Sequence, residues 1–138
     1  MFEYHGWMVL RAAPGETESE DADLRRTVDL ARELLDQYDG MPGLRDVRYI
    51  NGSPQYHFAG FTNHLGEDFR LVMAGVRKLA ELAPGSFGLI HYWDDEDAAH
   101  RNEFRVVVVR RGQITEHADT FLSPVVPTIE DPYQPEES

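Results

Sequence analysis

The stretch Arg105-Val106-Val107-Val108-Val109-Arg110-Arg111-Gly112-Gln113-Ile114-Thr115-Glu116-His117 decides how this chain folds. Four consecutive β-branched residues read as a strand, and a run without polar alternation predicts burial on both faces, hence a central position in a sheet. Arg111-Gly112 is turn chemistry, and Gln113 to His117 predicts a further strand returning antiparallel to the first. The valine strand is expected to begin at Glu103. Upstream of it, Phe87 to Trp93 reads as another strand, separated from it by the acidic run Asp94-Asp95-Glu96-Asp97.

Working outward towards the N-terminus, the period changes from two to 3.6. Leu65, Phe69, Val72, Val76, Leu79 and Ala83 recur at spacings of four and three, which predicts an amphipathic helix with Asn63 as its N-cap and Pro84-Gly85 as its stop. Before it, two β-type segments, 44–50 and 55–62, flank Asn51-Gly52-Ser53-Pro54, and Asn-Gly favours the positive φ angles of a tight hairpin. A first helix is predicted from Leu24, Val28, Ala31, Leu35 and Tyr38, opened by the capping box Thr17-Glu18-Ser19-Glu20 and stopped by Gly40 and Pro42. Residues 2–11 read as the first strand. The order is β-α-β-β-α-β-β-β, for which the simplest packing is α+β: a single antiparallel sheet with two amphipathic helices on one face. The other face, or the rim, is then free for a partner. The aromatics Trp7, Tyr92, Trp93, Phe104 and Phe121 are expected in the core, with either tryptophan able to turn outward.

Composition narrows the function. The chain has 138 residues, 41% hydrophobic and 28% charged, which fits one globular domain at 1–131 and a flexible acidic tail at 132–138. There is no cysteine, so no thiol nucleophile or CxxC metal site. Met1-Phe2-Glu3-Tyr4-His5 lacks the regions of a secretory leader, and no apolar run approaches the roughly 20 residues of a membrane span, so a cytoplasmic location is expected. Thirteen basic residues against 25 acidic give a formal charge of −12, which disfavours nucleic acid and anionic membrane and favours a basic protein partner.

Catalytic signatures are weak. The six histidines match no helical ligand spacing, Gly85-Ser86-Phe87-Gly88 is not a nucleophile elbow, and phosphate-cradling glycine motifs are absent. The sequence leaves three readings open: a protein that grips another protein, a small metal-dependent hydrolase using His91, Asp94 and His117, and a generic acidic interaction module. No cofactor or metal is expected under the first.

One ordered series is more specific. Pro84-Gly85-Ser86-Phe87-Gly88-Leu89, Asp94-Asp95-Glu96, Asn102-Glu103-Phe104-Arg105-Val106 and Arg111-Gly112-Gln113-Ile114-Thr115-Glu116 lead to Asp119-Thr120-Phe121-Leu122-Ser123-Pro124-Val125-Val126-Pro127-Thr128-Ile129-Glu130-Asp131. This resembles the immunity protein 7 family of bacterial polymorphic toxin systems. His5-Gly6-Trp7 and Asn63-His64 are similar to its pattern too, although Leu65 stands where the family often has a basic residue. The resemblance implies an α+β, non-enzymatic, cytoplasmic protein that binds a cognate toxin domain. For such a role the acids Asp94, Asp95, Glu96, Asp97, Glu116, Asp119, Glu130 and Asp131 are the expected negative part of the interface, with Trp93 as its apolar anchor. The segment from Ser123-Pro124 to Pro127-Thr128 is expected to be an extended structural strap.

Overall fold

The computed structural model describes residues 1–13, 20–37, 40–125 and 129–132. Thr17, Glu18 and Ser19 of the capping box, Tyr38, Pro127-Thr128 and all but Pro132 of the tail lie outside the described residues. Six strands, β1 (Phe2–Val9), β2 (Leu44–Ile50), β3 (Ser53–Thr62), β4 (Phe87–Asp94), β5 (Arg105–Arg110) and β6 (Gln113–Ala118), form one antiparallel sheet in the order β2-β3-β1-β4-β5-β6. The helices are α1 (Glu20–Asp36) and α2 (Glu67–Leu82). This is the expected element order, and β1, the first strand in the chain, ends up inside the sheet between β3 and β4.

Alternation along β1 explains its place. Phe2, Tyr4 and Met8 point to one face and are fully buried, while His5 and Trp7 point to the other. Gly6 sits on the buried face, where a Cβ would come 2.3 Å from the Phe58 ring, so the ring fills the space a side chain would need. Tyr56 and Phe58 of β3, Ile90 of β4, and Val107 and Val109 of β5 continue that face. It meets Val28, Ala31 and Leu34 of α1 and Phe69, Val72, Met73, Val76 and Leu79 of α2 in one core. Both helices therefore cover the same side. Phe69 stacks among Phe2, Tyr4 and Tyr92 with ring centroids 4.8–5.4 Å apart, a spacing at which each aromatic pair contributes about 0.5–1.5 kcal/mol beyond its burial.

The structure corrects three sequence expectations. The valine strand is interior, flanked by β4 and β6, but it is not buried on both faces: Val107 and Val109 are buried, whereas Val106 and Val108 are half-buried on the uncovered side. Four β-branched residues in a row satisfy strand propensity and cross-strand packing without needing a second covering layer. Asn63 does not cap α2; the N-cap is Gly66, and Glu67 and Asp68 supply the negative charge its first turn favours. Phe121, expected in the core, is 84% exposed, because the chain leaves the sheet after Ala118.

Two polar clamps tie the layers together. Tyr4 donates a hydrogen bond to Asp68 (3.2 Å), and Arg45 donates to the Tyr4 oxygen (2.6 Å) and to the Ala59 carbonyl (3.3 Å). The Arg45 and Asp68 side chains, 3.9 Å apart, are about nine-tenths buried, so β1, β2 and the start of α2 share one desolvated network. At the opposite end, buried Ser86 accepts the Arg11 N–H (3.1 Å) and donates to the Arg11 carbonyl (3.3 Å). That is a structural role for the serine of the Gly85-Ser86-Phe87-Gly88 stretch.

Both two-residue hairpins use positive φ: Asn51 (49°) and Gly52 (79°) between β2 and β3, Arg111 (50°) and Gly112 (74°) between β5 and β6. Asparagine tolerates the left-handed region; arginine is strained in it. Arg111→Asn should therefore stabilise the fold by about 0.5–1 kcal/mol, read as a higher urea midpoint at unchanged slope. A second expectation concerns alkali. Burial, opposed by the Arg45 charge and reinforced by Asp68, pushes the Tyr4 hydroxyl from its ordinary 10.0 up to about 12. Tyr92 is raised as well, by burial and then by its hydrogen bond to Glu116. A folded value above the unfolded one means stability that is intact below pH 10 and lost as pH rises through about 12. Thermal melts across that window should fall in the wild type, and Tyr4→Phe should leave only the part due to Tyr92.

Candidate functional site

Among the described residues no helix or strand covers the side of the sheet away from the helices, and strand register fixes what it displays. One row across it runs Ala59, His5, His91, Val106, His117; the next runs Asp46, His57, Trp7, Leu89, Val108, Thr115; a third runs Arg48, Gln55, Val9, Phe87, Arg110, Gln113. Four of the six histidines thus share one face, with His5 directly opposite His91. Trp7 is 36% exposed and meets Phe87, itself 40% exposed, edge to face at 6.3 Å; His5 meets Phe61 in the same way. These pairs hold large rings in fixed positions at the surface. Towards β6 the face hollows to a space of about 420 Å³ lined by Val108, Arg110, Gln113, Thr115 and His117.

One end of this face is acidic. Trp93, the anchor expected from the sequence, lies in the same row as Glu3 and Phe61; it is half-buried, and its indole N–H donates to the Arg101 carbonyl (2.8 Å). The acids after it hold their own loop in shape. Asp94 accepts the Glu96 N–H (3.1 Å), and Asp95 accepts the Met1 ammonium (2.7 Å), whose pKa this contact raises. Glu96 pairs with His64, and Asp97 caps a 3₁₀ turn, Ala98–His100, by accepting the Ala99 N–H (3.1 Å). Nearby Glu103 is held below its usual carboxylate range by the Arg105 guanidinium, 2.5 Å away, with His100 adding to the effect.

The remaining expected acids fall in three places. Asp119 accepts the Phe121 N–H (2.8 Å) and stands 4.0 Å from His91 at the border of the open face. Glu130 accepts the Ser123 N–H with both oxygens (3.1 and 3.2 Å), and Asp131 is exposed beside it. Glu116 is on the helix side of β6, where Tyr92 donates to it and Arg105 lies 3.8 Å away. The sheet end therefore gathers the 94–97 loop and Asp119, whereas Glu116, and Asp94 by its strand register, point to the helix side.

The hydrolase set does not assemble. His91 faces the open side, Asp94 sits three positions along the same strand and faces the other side, and His117 is two strands away, about 10 Å at ordinary strand spacing. Among the described residues no group of three or more His, Asp or Glu side chains could hold a metal ion. No helix of the described residues is long and apolar enough to cross a membrane. What the sequence does not reveal is the outward set His5, His57, Phe87 and Leu89 around Trp7, whose outward turn the alternation allows. Its signal was the alternation in β1, visible in the sequence but uninterpretable until the pairing of β1 was known.

A family model described as immunity protein 7 matches residues 1–131. No curated protein and no solved structure matches the chain.

The described part of the strap is fastened by three contacts: Glu130 to the Ser123 N–H, Ser123 Oγ accepting the Ile129 N–H (3.3 Å), and Asn102 accepting the Val125 N–H (2.7 Å). Glu130→Ala should accelerate proteolysis and amide exchange within 119–131. It should change global stability by only about 1 kcal/mol, since one charge-assisted contact is lost outside the core.

Proposed function

The chain belongs to the immunity protein 7 family, and on that premise we propose that it neutralises a cognate bacterial toxin domain by binding it stoichiometrically. The observation that carries this is the family match across residues 1–131, the whole of the proposed binding unit. In this reading the protein is a non-enzymatic antidote that works in the cytoplasm of the producing bacterium, within a polymorphic toxin system.

Charge supports the mode of action. An antidote must reach its target fast, and a surface at −12 attracts a basic partner from a distance. Electrostatic steering raises association from about 10⁵–10⁶ to about 10⁸ M⁻¹s⁻¹ or more at low salt. We assign the steering to Asp94, Asp95, Glu96, Asp97, Asp119, Glu130 and Asp131, with Glu116 extending the field around the β6 edge and Trp93 as an apolar contact. A toxin that acts on nucleic acid would offer the basic cleft such a surface fits.

Co-expression with the toxin domain encoded beside this gene should restore growth and yield a one-to-one complex; persistent growth arrest would rule the reading out. Replacing Asp94, Asp95, Glu96 and Asp97 together with their amides should slow association at least tenfold at low salt and flatten its salt dependence. Unchanged association kinetics would remove the loop from the interface.

A further inference from the structure

The geometry points to the open face of the sheet as the seat of the partner, with the acidic loop as its border rather than its centre. This rests on the toxin-binding reading and adds the surface, the orientation and the chemistry of the occupant. The occupant is a protein surface with an apolar centre, basic groups at one end and an acidic side chain at the other.

Three observations carry the assignment. The first is size. Six strands at ordinary spacing make a face about 24 Å across and about 23 Å along, a flat footprint on the order of 550 Å². Side-chain relief and the adjoining loop bring it near the roughly 800 Å² per partner of a standard interface. The second is composition. The middle of the face is Trp7, Leu89 and Val108, flanked by His57 and Thr115 and bordered by Phe61 and Phe87. Exposed aromatic rings held edge to face have little rotamer freedom left to lose on binding, which suits them as anchors.

The third is charge order. At one end of the strands stand Asp94, Asp95, Glu96, Asp97 and Asp119; at the other stand Arg48, Arg110 and Arg111. Arg48 is paired with Asp46 (2.7 Å), whereas Arg110 is exposed and makes no ion pair among the described residues. It borders the 420 Å³ hollow with His117, Thr115 and Gln113 over a Val108 floor. A hollow of that lining accepts a carboxylate-bearing side chain: the guanidinium meets the charge and the valine meets the stem. The two ends lie about 20 Å apart along the strands, so a partner must match both at once, which fixes its orientation as well as its affinity.

The test uses the full chain and the toxin domain encoded beside it, with Trp7→Ala, Thr115→Arg and Arg110→Glu measured separately. Trp7→Ala should weaken the complex roughly 30-fold or more, as truncation of an interface anchor does. Thr115→Arg, an exposed position that should tolerate a long side chain, should block the face by bulk. Arg110→Glu should cost at least about tenfold. Thermal melts confirm that each variant is folded; Glu33→Arg on the exposed side of α1 serves as the control and should bind like wild type. If wild type binds and all three face variants bind within about twofold of it, the face is not the seat, although the toxin-binding reading survives. If wild type does not bind, both fall. If the free protein is a dimer that the three variants dissociate while toxin binding is unaffected, the face belongs to a second copy and the assignment is overturned.

Discussion

The rest of the structure depends on the register of β1 between β3 and β4. Pairing Phe2 with Thr62 on one side and Asp94 on the other sends Phe2, Tyr4 and Met8 under the helices and His5 and Trp7 to the opposite side. A slip by one residue would invert that choice for the whole strand, burying a histidine and a tryptophan indole while exposing two aromatic rings and a methionine. Three constraints oppose such a slip: the Phe58 ring seated over Gly6, the Tyr4 hydroxyl held by Arg45 and Asp68, and the Ser86 clasp on Arg11 just past the strand. They act through different elements, so α2, the β2–β3 hairpin and the β4 junction all enforce one alignment.

Much of the architecture was legible in the sequence, because two amphipathic helical stripes and an Asn-Gly hairpin are local signals. The stripe of α2 did become a buried face at Phe69, Val72, Val76 and Leu79. Leu65 fell outside it because the helix begins at Glu67, after a capping glycine that no side-chain rule would select over Asn63. The valine run forms the strand it predicts, but only Val107 and Val109 are buried. A continuous apolar run records propensity and packing on one side as readily as burial on two, and only strand order separates the cases.

The candidate site was legible in part. The acidic loop announces itself by composition, and Trp93 does reach the open side of the sheet. The face itself was hidden because its members come from six strands spread from residue 3 to residue 117, and no window of sequence holds two neighbouring rows. His5 and His91 are 86 positions apart and directly opposite one another. Nor does composition reveal that Glu116, three residues before Asp119, points to the opposite side: alternation within β6 sets that, and the end of the strand frees Asp119 from it.

The position of β1 also has a consequence in time. It is the first strand to be synthesised, yet one of its two neighbours is not complete until Asp94. At ordinary elongation rates of about 5–20 residues per second, the chain from Val9 to Asp94 takes roughly 4–17 s to make. Over that interval Phe2, Tyr4 and Met8 have no completed sheet to enter, and the nascent chain carries an apolar strand suited to chaperone capture or mispairing. Long-range pairing of this kind also slows folding after release. The sheet therefore closes around β1 only after β4 has been made, which couples its folding to the later part of translation.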